Sequence, residues 1–380
     1  MEALIYIGTA QSLFAAFTIW SLKRKHLGNR ILIAWLLMIA LSMIMEIAKL
    51  NIPNLQYSSL GISTILIYGP FLLLYVNAMT NEKPTFSKKD LFHFVPFLIF
   101  SIFFTLFEAQ LYQGPSGFFH NDRYLIQRSI FSASVLGSLV TYNVLIKKKL
   151  IAHRNHLKEQ YSFSSEKITL FWLFTISQLF STGWAIMILV GIIWGAESNH
   201  ITKYIYLTIN VLFSYLISIW GIRQPIIFDP EKEAYIPAWV KKRYPELLEE
   251  NVKTNPKYEK SGLKSDIADQ YVQSLLTYME EEKAYLNGEL SIQDLSDELG
   301  IPKHYLTQII NENLKKNFYT FVNEYRINAV KKMLADPKNE NLTLLAVAFD
   351  CGFNSKSSFN NIFKQITGLT PTEYKRTIKE

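Results

Sequence analysis

The chain has 380 residues, a formal net charge of +7, 49% hydrophobic residues and a single cysteine, Cys351. One cysteine excludes an intramolecular disulfide and fits a reducing compartment. Residues 1–222 hold 17 Lys and Arg against 9 Asp and Glu, whereas residues 223–380 hold 22 against 23. The positive charge therefore belongs to the apolar half and is no argument for nucleic-acid binding.

The length leaves room for two or three domains. The first half contains apolar runs at Ala3–Leu22, Ile31–Leu50, Leu60–Met79, Leu91–Phe107, Ile126–Ile146, Ile168–Trp194 and Tyr204–Ile222, each close to the ~20 residues a helix needs to cross a bilayer. A large soluble helical core would show charged faces along amphipathic stripes, and these runs are apolar all round. No basic stretch precedes the first run and no small-residue cleavage site follows it, so it reads as a retained helix rather than a signal peptide.

The connecting segments test this reading independently. With the N-terminus outside, the inner segments carry Lys23, Arg24, Lys25 and Arg30, then Lys83, Lys88 and Lys89, then Lys147, Lys148, Lys149, Arg154, Lys158 and Lys167. The outer ones carry only Arg123 and Lys203. Basic residues stay inside, which requires an odd number of spans and puts the C-terminal half in the cytoplasm. Trp20, Trp172, Trp194 and Trp220 fall near predicted span ends, where amphipathic rings are favoured.

Polar residues within the runs are few: Glu46, Lys49, Asn77, Arg128, Asn143, Gln178 and Asn210. Glu46 and Lys49 can share a helix face. They either line a pocket opening outward or snorkel to the outer interface; their place within a turn of the span end favours the second. Gly69–Pro70 predicts a kink. His153 and His156 sit in a basic segment with no third ligand beside them, which argues against a metal site.

Residues 223–265 read as a linker, interrupted by Pro225, Pro230, Pro237, Pro245 and Pro256. Within it Ile236–Pro245 carries Trp239, Lys241, Lys242, Arg243 and Tyr244. It either rests on an anionic membrane surface or forms a short solvated helix, and the sequence leaves both open. Residues 266–380 form a separate soluble segment. A helix is predicted over Ile267–Leu286, with Asp266 capping it and Val272, Leu275, Leu276 and Met279 on its apolar face. Glu280–Glu282 reads as a solvated face.

Two similar units follow. In the first, Ser291 caps Ile292–Leu299, Gly300 makes the turn, and Ile301–Pro302 opens a second helix with Leu306, Ile309 and Ile310 inward. Lys303, His304, Thr307, Gln308 and Asn311 face outward. In the second, Leu344, Val347 and Ala348 face inward, Gly352 makes the turn and Phe353 fills the core. Asn354 or Ser355 caps the next helix, whose Phe359, Ile362 and Phe363 face in while Lys356, Ser357, Asn360 and Asn361 face out. Gly300 and Gly352 lie 52 residues apart. A long helix, Phe318–Leu334, joins the units with Phe321, Val322, Tyr325, Ala329, Val330 and Met333 on its buried side, and Pro337 lies past its end. Helix, glycine turn and polar-faced second helix is the helix-turn-helix pattern.

From about Asp266 the chain resembles the AraC-type DNA-binding domain. The resemblance rests on Leu344-x-x-Val347-Ala348-x-x-x-Gly352-Phe353, Ser358-Phe359-x-x-x-Phe363-Lys364 and Thr367-Gly368-x-Thr370-Pro371-x-x-Tyr374-Lys375. Phe321-x-x-x-Tyr325-Arg326-Ile327 and Leu306-x-x-x-Ile310 match as well. Tyr258–Leu263 and Met279–Leu290 look similar to membrane-anchored members in which several transmembrane helices precede this domain. The seven apolar runs and this resemblance together predict an all-α protein: a seven-helix transmembrane bundle followed by a cytoplasmic helical domain with two helix-turn-helix units.

The resemblance further implies sequence-specific binding of double-stranded DNA, with one recognition helix per groove. His304, Thr307, Gln308, Lys356, Ser357, Asn360 and Asn361 are the base-contact candidates, since Gln and Asn pair with adenine and Lys with guanine. Lys303, Lys315, Lys316 and Lys364 are the phosphate-contact candidates. Members often carry Arg near Gln308 or Asn361; its absence here implies a weaker guanine preference.

The expected protein sits in the cytoplasmic membrane as a one-component sensor. Its expected partners are duplex DNA, the lipid bilayer, a small-molecule or membrane signal, the transcription machinery and a second copy of itself; no cofactor is expected. A receptor or transporter whose tail binds a protein is the competing class. An enzyme such as a sensor kinase is disfavoured, because no glycine-rich phosphate loop or nucleophile motif occurs, and Cys351 sits where a small core residue belongs.

Overall fold

The computed structural model describes residues 2–22, 26–52, 62–81, 84–111, 125–164, 166–194, 199–224 and 265–379. Among them the secondary structure is helical, with no strand and one isolated bridge between Tyr161 and Ser291. The chain divides into two compact units, residues 1–151 with 166–230, and residues 152–165 with 231–380.

The first unit is built on α1 (Glu2–Ser21), α2 (Leu27–Asn51), α3 (Ile65–Thr80), α4 (Val95–Leu111), the start of α5 (Leu125–Gln160), α6 (Phe171–Trp194) and α7 (Asn199–Arg223). Helix α1 packs on α2 and α7, α6 on α7, and α3 on α2 and α4. Among the described residues, six helices are long and apolar enough to cross a membrane; α3, at 16 residues, is a shorter apolar helix. The predicted third span thus stands apart from the other six.

Predicted bounds shift at three places. The fifth run does not stop at Ile146: the helix continues to Gln160. The sixth is interrupted at Leu170, whose φ of +56° is left-handed; this separates a short turn of helix, Glu166–Thr169, from α6. The fourth opens with a 3-10 segment, Lys88–Phe94, before α4 begins.

The largely aliphatic core of this unit holds an aromatic cluster. Trp35 stacks on Phe71 at 5.9 Å and meets Phe213 at 5.2 Å, while Tyr68 stacks on Phe180 at 4.6 Å. Gly69 is needed for close approach: a Cβ there would sit 2.3 Å from the Tyr142 ring. Asn143, Gln178 and Asn210, predicted as intramembrane polar residues, find partners within the bundle. Asn143 accepts from Ser177 and Gln178 and donates to Ser181. The Tyr68 hydroxyl donates to Asn210. Such pairs hold apolar helices together where burial alone gives no preference for protein over lipid.

One expectation is corrected: Glu46 is buried rather than extended to an outer boundary. Trp172, near the start of its predicted span, stacks on Trp220 at 5.5 Å and donates to Gln224. The Lys49 side chain, Lys23, Arg24, Lys25, Lys83, Arg123, the basic stretch Ile236–Pro245 and Tyr258–Leu263 lie outside the described residues.

Candidate nucleic-acid interface

The second unit includes α8 (Ser265–Glu281), α9 (Ile292–Leu299), α10 (Lys303–Gln308), α11 (Phe318–Ala335), α12 (Leu344–Asp350), α13 (Lys356–Thr367) and α14 (Pro371–Lys379). Asp266 stands in the first turn of α8 rather than before it, and α8 ends at Glu281 because Lys283 turns left-handed at φ +50°. Two hydrophobic clusters form around α11. Phe318, Phe321 and Val322 close the first with Leu275, Met279, Leu295, Leu306, Ile309 and Ile310. Ile327 and Val330 close the second with Val347, Ala348, Cys351, Phe353, Phe359, Ile362 and Phe363. One helix thus contributes its first half to one core and its second half to the other.

The local signals act as predicted. Ser291 and Asp294 form a reciprocal capping box, the Asp294 amide donating to Ser291 Oγ and the Ser291 amide to Asp294 Oδ2, which satisfies two otherwise orphaned helix donors. Gly300 takes φ +66° at the C-cap of α9. Gly352 takes φ +88°, and a Cβ there would lie 2.4 Å from the Tyr285 carbonyl oxygen, so both conformation and space demand glycine. Ser355 supplies the cap of α13, accepting from the Ser358 amide. Asn354 instead donates to Gly288 O, helping join the second turn to the loop before α9.

His304, Lys356, Ser357, Asn360, Asn361, Lys315 and Lys364 are exposed, while Lys303, Thr307, Gln308 and Lys316 are half-buried. The base-contact candidates stand on α10 and α13, one set on each helix-turn-helix unit. Some are engaged within the domain. The Thr307 hydroxyl donates to Lys303 O at 2.9 Å, and the Gln308 amide donates to Glu312 at 2.9 Å. Lys316 is ion-paired with Glu324. The backbone after α10 widens into a π turn, Ile309–Asn313, which periodicity did not anticipate. It keeps Ile309 and Ile310 buried and leads to the left-handed Lys315.

Sequence reasoning also missed Arg326. It counted only as part of a motif, yet it is 1% exposed and lies where the two cores meet. Its guanidinium donates to Tyr285 O at 2.8 Å and Asn287 O at 2.7 Å, and lies 5.9 Å from the Phe353 ring centroid. The only signal available was an Arg among buried neighbours on α11.

Residues 295–377 match the family model described as a helix-turn-helix domain. An HTH-type transcriptional regulator of Staphylococcus aureus strain COL is 30% identical over 111 residues, covering 29% of this chain and 14% of that protein. Another from Pseudoalteromonas carrageenovora is 28% identical over 106 residues, covering 28% and 59%. The melibiose operon regulatory protein of Escherichia coli K12 is 24% identical over 106 residues, covering 28% and 33%. The chain therefore spans less than two thirds of the length of each of these relatives. No solved structure gives a significant match. The C-terminal residues of this chain are a helix-turn-helix domain of the AraC type, shared with transcriptional regulators.

Proposed function

We propose that this chain is a membrane-anchored transcription regulator that reads duplex DNA with α10 and α13. The observation carrying the reading is the pair of helix-turn-helix units on α11, each presenting polar side chains outward, in a domain whose relatives are transcriptional regulators. His304, Thr307 and Gln308 read one groove and Lys356, Ser357, Asn360 and Asn361 the next; Lys303, Lys315, Lys316 and Lys364 meet phosphates.

The preceding helices anchor the protein in the cytoplasmic membrane, with the N-terminus outside and the DNA-binding domain in the cytoplasm. Large apolar side chains facing outward from this unit support the anchor: Trp20 is 71% exposed, Leu106 72% and Ile126 72%, which suits lipid and not water. Residues 1–222 act as the sensor, 223–265 as the linker and 266–380 as the DNA-binding domain. A ligand or membrane signal that binds two states of the sensor unequally shifts DNA occupancy. Pairing of two copies doubles the half-sites read.

The test is selection from a random duplex library with the full chain in lipid nanodiscs at near-physiological salt, beside a Gln308→Ala/Asn361→Ala variant. An enriched motif, lost or relaxed in the variant, is expected. Failure to enrich any motif even at low salt would turn the reading toward a receptor whose tail binds a protein.

A further inference from the structure

Residues 152–165 belong to the same compact unit as the DNA-binding domain. They comprise the last turns of α5 and the segment after it. His153, Leu157 and Gln160 recur at helical spacing and are buried, and Ser162 is 1% exposed. This is a seated element, not a loose end. The Ser162 amide donates to Leu290 O at 3.1 Å and its hydroxyl to the same oxygen at 2.7 Å. Tyr161 forms the bridge with Ser291, and Lys158 Nζ lies 5.8 Å from the centroid of Tyr319.

Ser162 faces Arg326. A guanidinium has five N–H donors, and five bonds satisfy it here. Nε reaches Tyr285 O and one Nη2 donor reaches Asn287 O. Nη1 reaches Asn323 Oδ1 at 3.3 Å. The remaining two go to Ser162, O at 3.0 Å and Oγ at 2.9 Å. Buried Asn323 also donates to Ser162 O, at 3.1 Å. All these acceptors are neutral, so a buried cation depends on carbonyl and hydroxyl dipoles, and Ser162 supplies two of the five. Around Arg326 meet the Tyr285–Gly288 loop of the first helix-turn-helix unit and Gly352–Asn354 of the second.

We propose that Gln160–Phe163 is a plug for the seam between the two helix-turn-helix units. Seated, it completes the bonding of Arg326 and holds the seam; withdrawn, it leaves buried donors unpaired and the seam loosens. The last step, weaker binding to duplexes that need both recognition helices, rests on the DNA-binding reading above.

The full chain in nanodiscs, with Cys351→Ala as background, tests this in two ways. Tyr161→Cys/Ser291→Cys places thiols at bridge-paired positions, a separation that suits a disulfide. Oxidation is expected to link most of the protein, and absence of the linked peptide would overturn the seating. In Ser162→Trp, too bulky to seat, amide exchange over residues 285–291 is expected to quicken about tenfold, and in Ser162→Ala, which loses only the Oγ bond from the charged donor, about threefold. Unchanged exchange in both, with the chain folded, would overturn the role at the seam. On a duplex enriched by selection, Ser162→Trp is expected to bind about tenfold more weakly, with little change once one half-site is scrambled. If the parent chain enriches no duplex, the DNA-binding reading fails, and cross-linking and exchange still decide the plug.

Discussion

Gly352 carries two constraints at one position. Its φ of +88° strains any L side chain, and the atoms a Cβ would meet are the carbonyl oxygens of Tyr285 and Leu286, both backbone. Neither can swing away as a side-chain tip would. Cys351 reports on the same spot: it is buried, and burial followed by the neighbouring Asp350 pushes its thiol up to about 11. At neutral pH it should therefore alkylate only when the second unit opens. Gly352→Ala should cost about 2 kcal/mol or more from backbone strain and displacement, raising the alkylation rate about 30-fold. Ser355→Ala removes a helix cap, costs about 1 kcal/mol and should raise it about fivefold. A rate unaltered in Gly352→Ala would mean that the turn accepts a side chain after all. Arg326 is the opposite kind of residue, held by many partners. Burial lowers its guanidinium to about 10, so it remains charged at neutral pH.

At the scale of elements, the proposed DNA reading turns on α10 and its π turn. On that proposal Gln308 would have to release Glu312 before its amide could pair with adenine, and Glu312 would set a negative charge beside a helix approaching phosphates. Glu312→Ala removes competitor and charge together. Titration with a selected duplex should show affinity rising about threefold; an unchanged or weaker complex would mean that Gln308 does not face a base. The helix bearing Gln308 was readable because Leu306, Ile309 and Ile310 repeat with the helical period. The π turn was not, since it alters hydrogen-bond spacing while keeping the same residues buried. The same contrast holds elsewhere. Phe318–Leu334 was legible and is observed as Phe318–Ala335, because its apolar stripe serves two adjoining cores. The break at Leu170 and the 14 residues of α5 beyond Ile146 leave no mark in local composition. The bonding of Arg326 was invisible for a plainer reason: its partner Ser162 lies 164 residues away, and no periodicity connects them. Among the site residues, exposure of Lys356, Ser357, Asn360 and Asn361 follows from the strong amphipathicity of α13. The engagement of Gln308 and Lys316 depends on neighbours that a face assignment does not rank.

At the scale of the whole molecule, the question is how many times the chain crosses the bilayer. Six crossings would return the C-terminal domain to the side of the N-terminus, and seven would oppose them. The decision rests on α3. Its 16 residues span about 24 Å, and the 3-10 turn Ile62–Thr64 that leads into it adds about 6 Å. The sum matches a hydrocarbon core of about 30 Å. Buried residues line almost the whole of α3, from Ile65 to Met79, so packing against other helices lessens its need of a longer apolar stretch. We propose that α3 is a seventh span, which agrees with the basic residues that alternate along the chain; on that reading Lys203 stands outside and the helix-turn-helix domain inside. Single cysteines in a Cys351→Ala background test this in intact cells with a membrane-impermeant thiol reagent. Lys203→Cys should label directly, and Lys338→Cys, on an exposed turn after α11, only after the membrane is opened. Labelling of both from outside would exclude access to cytoplasmic DNA. Labelling of neither until the membrane is opened would move Lys203 to the inner side and remove α3 or another helix from the set that crosses.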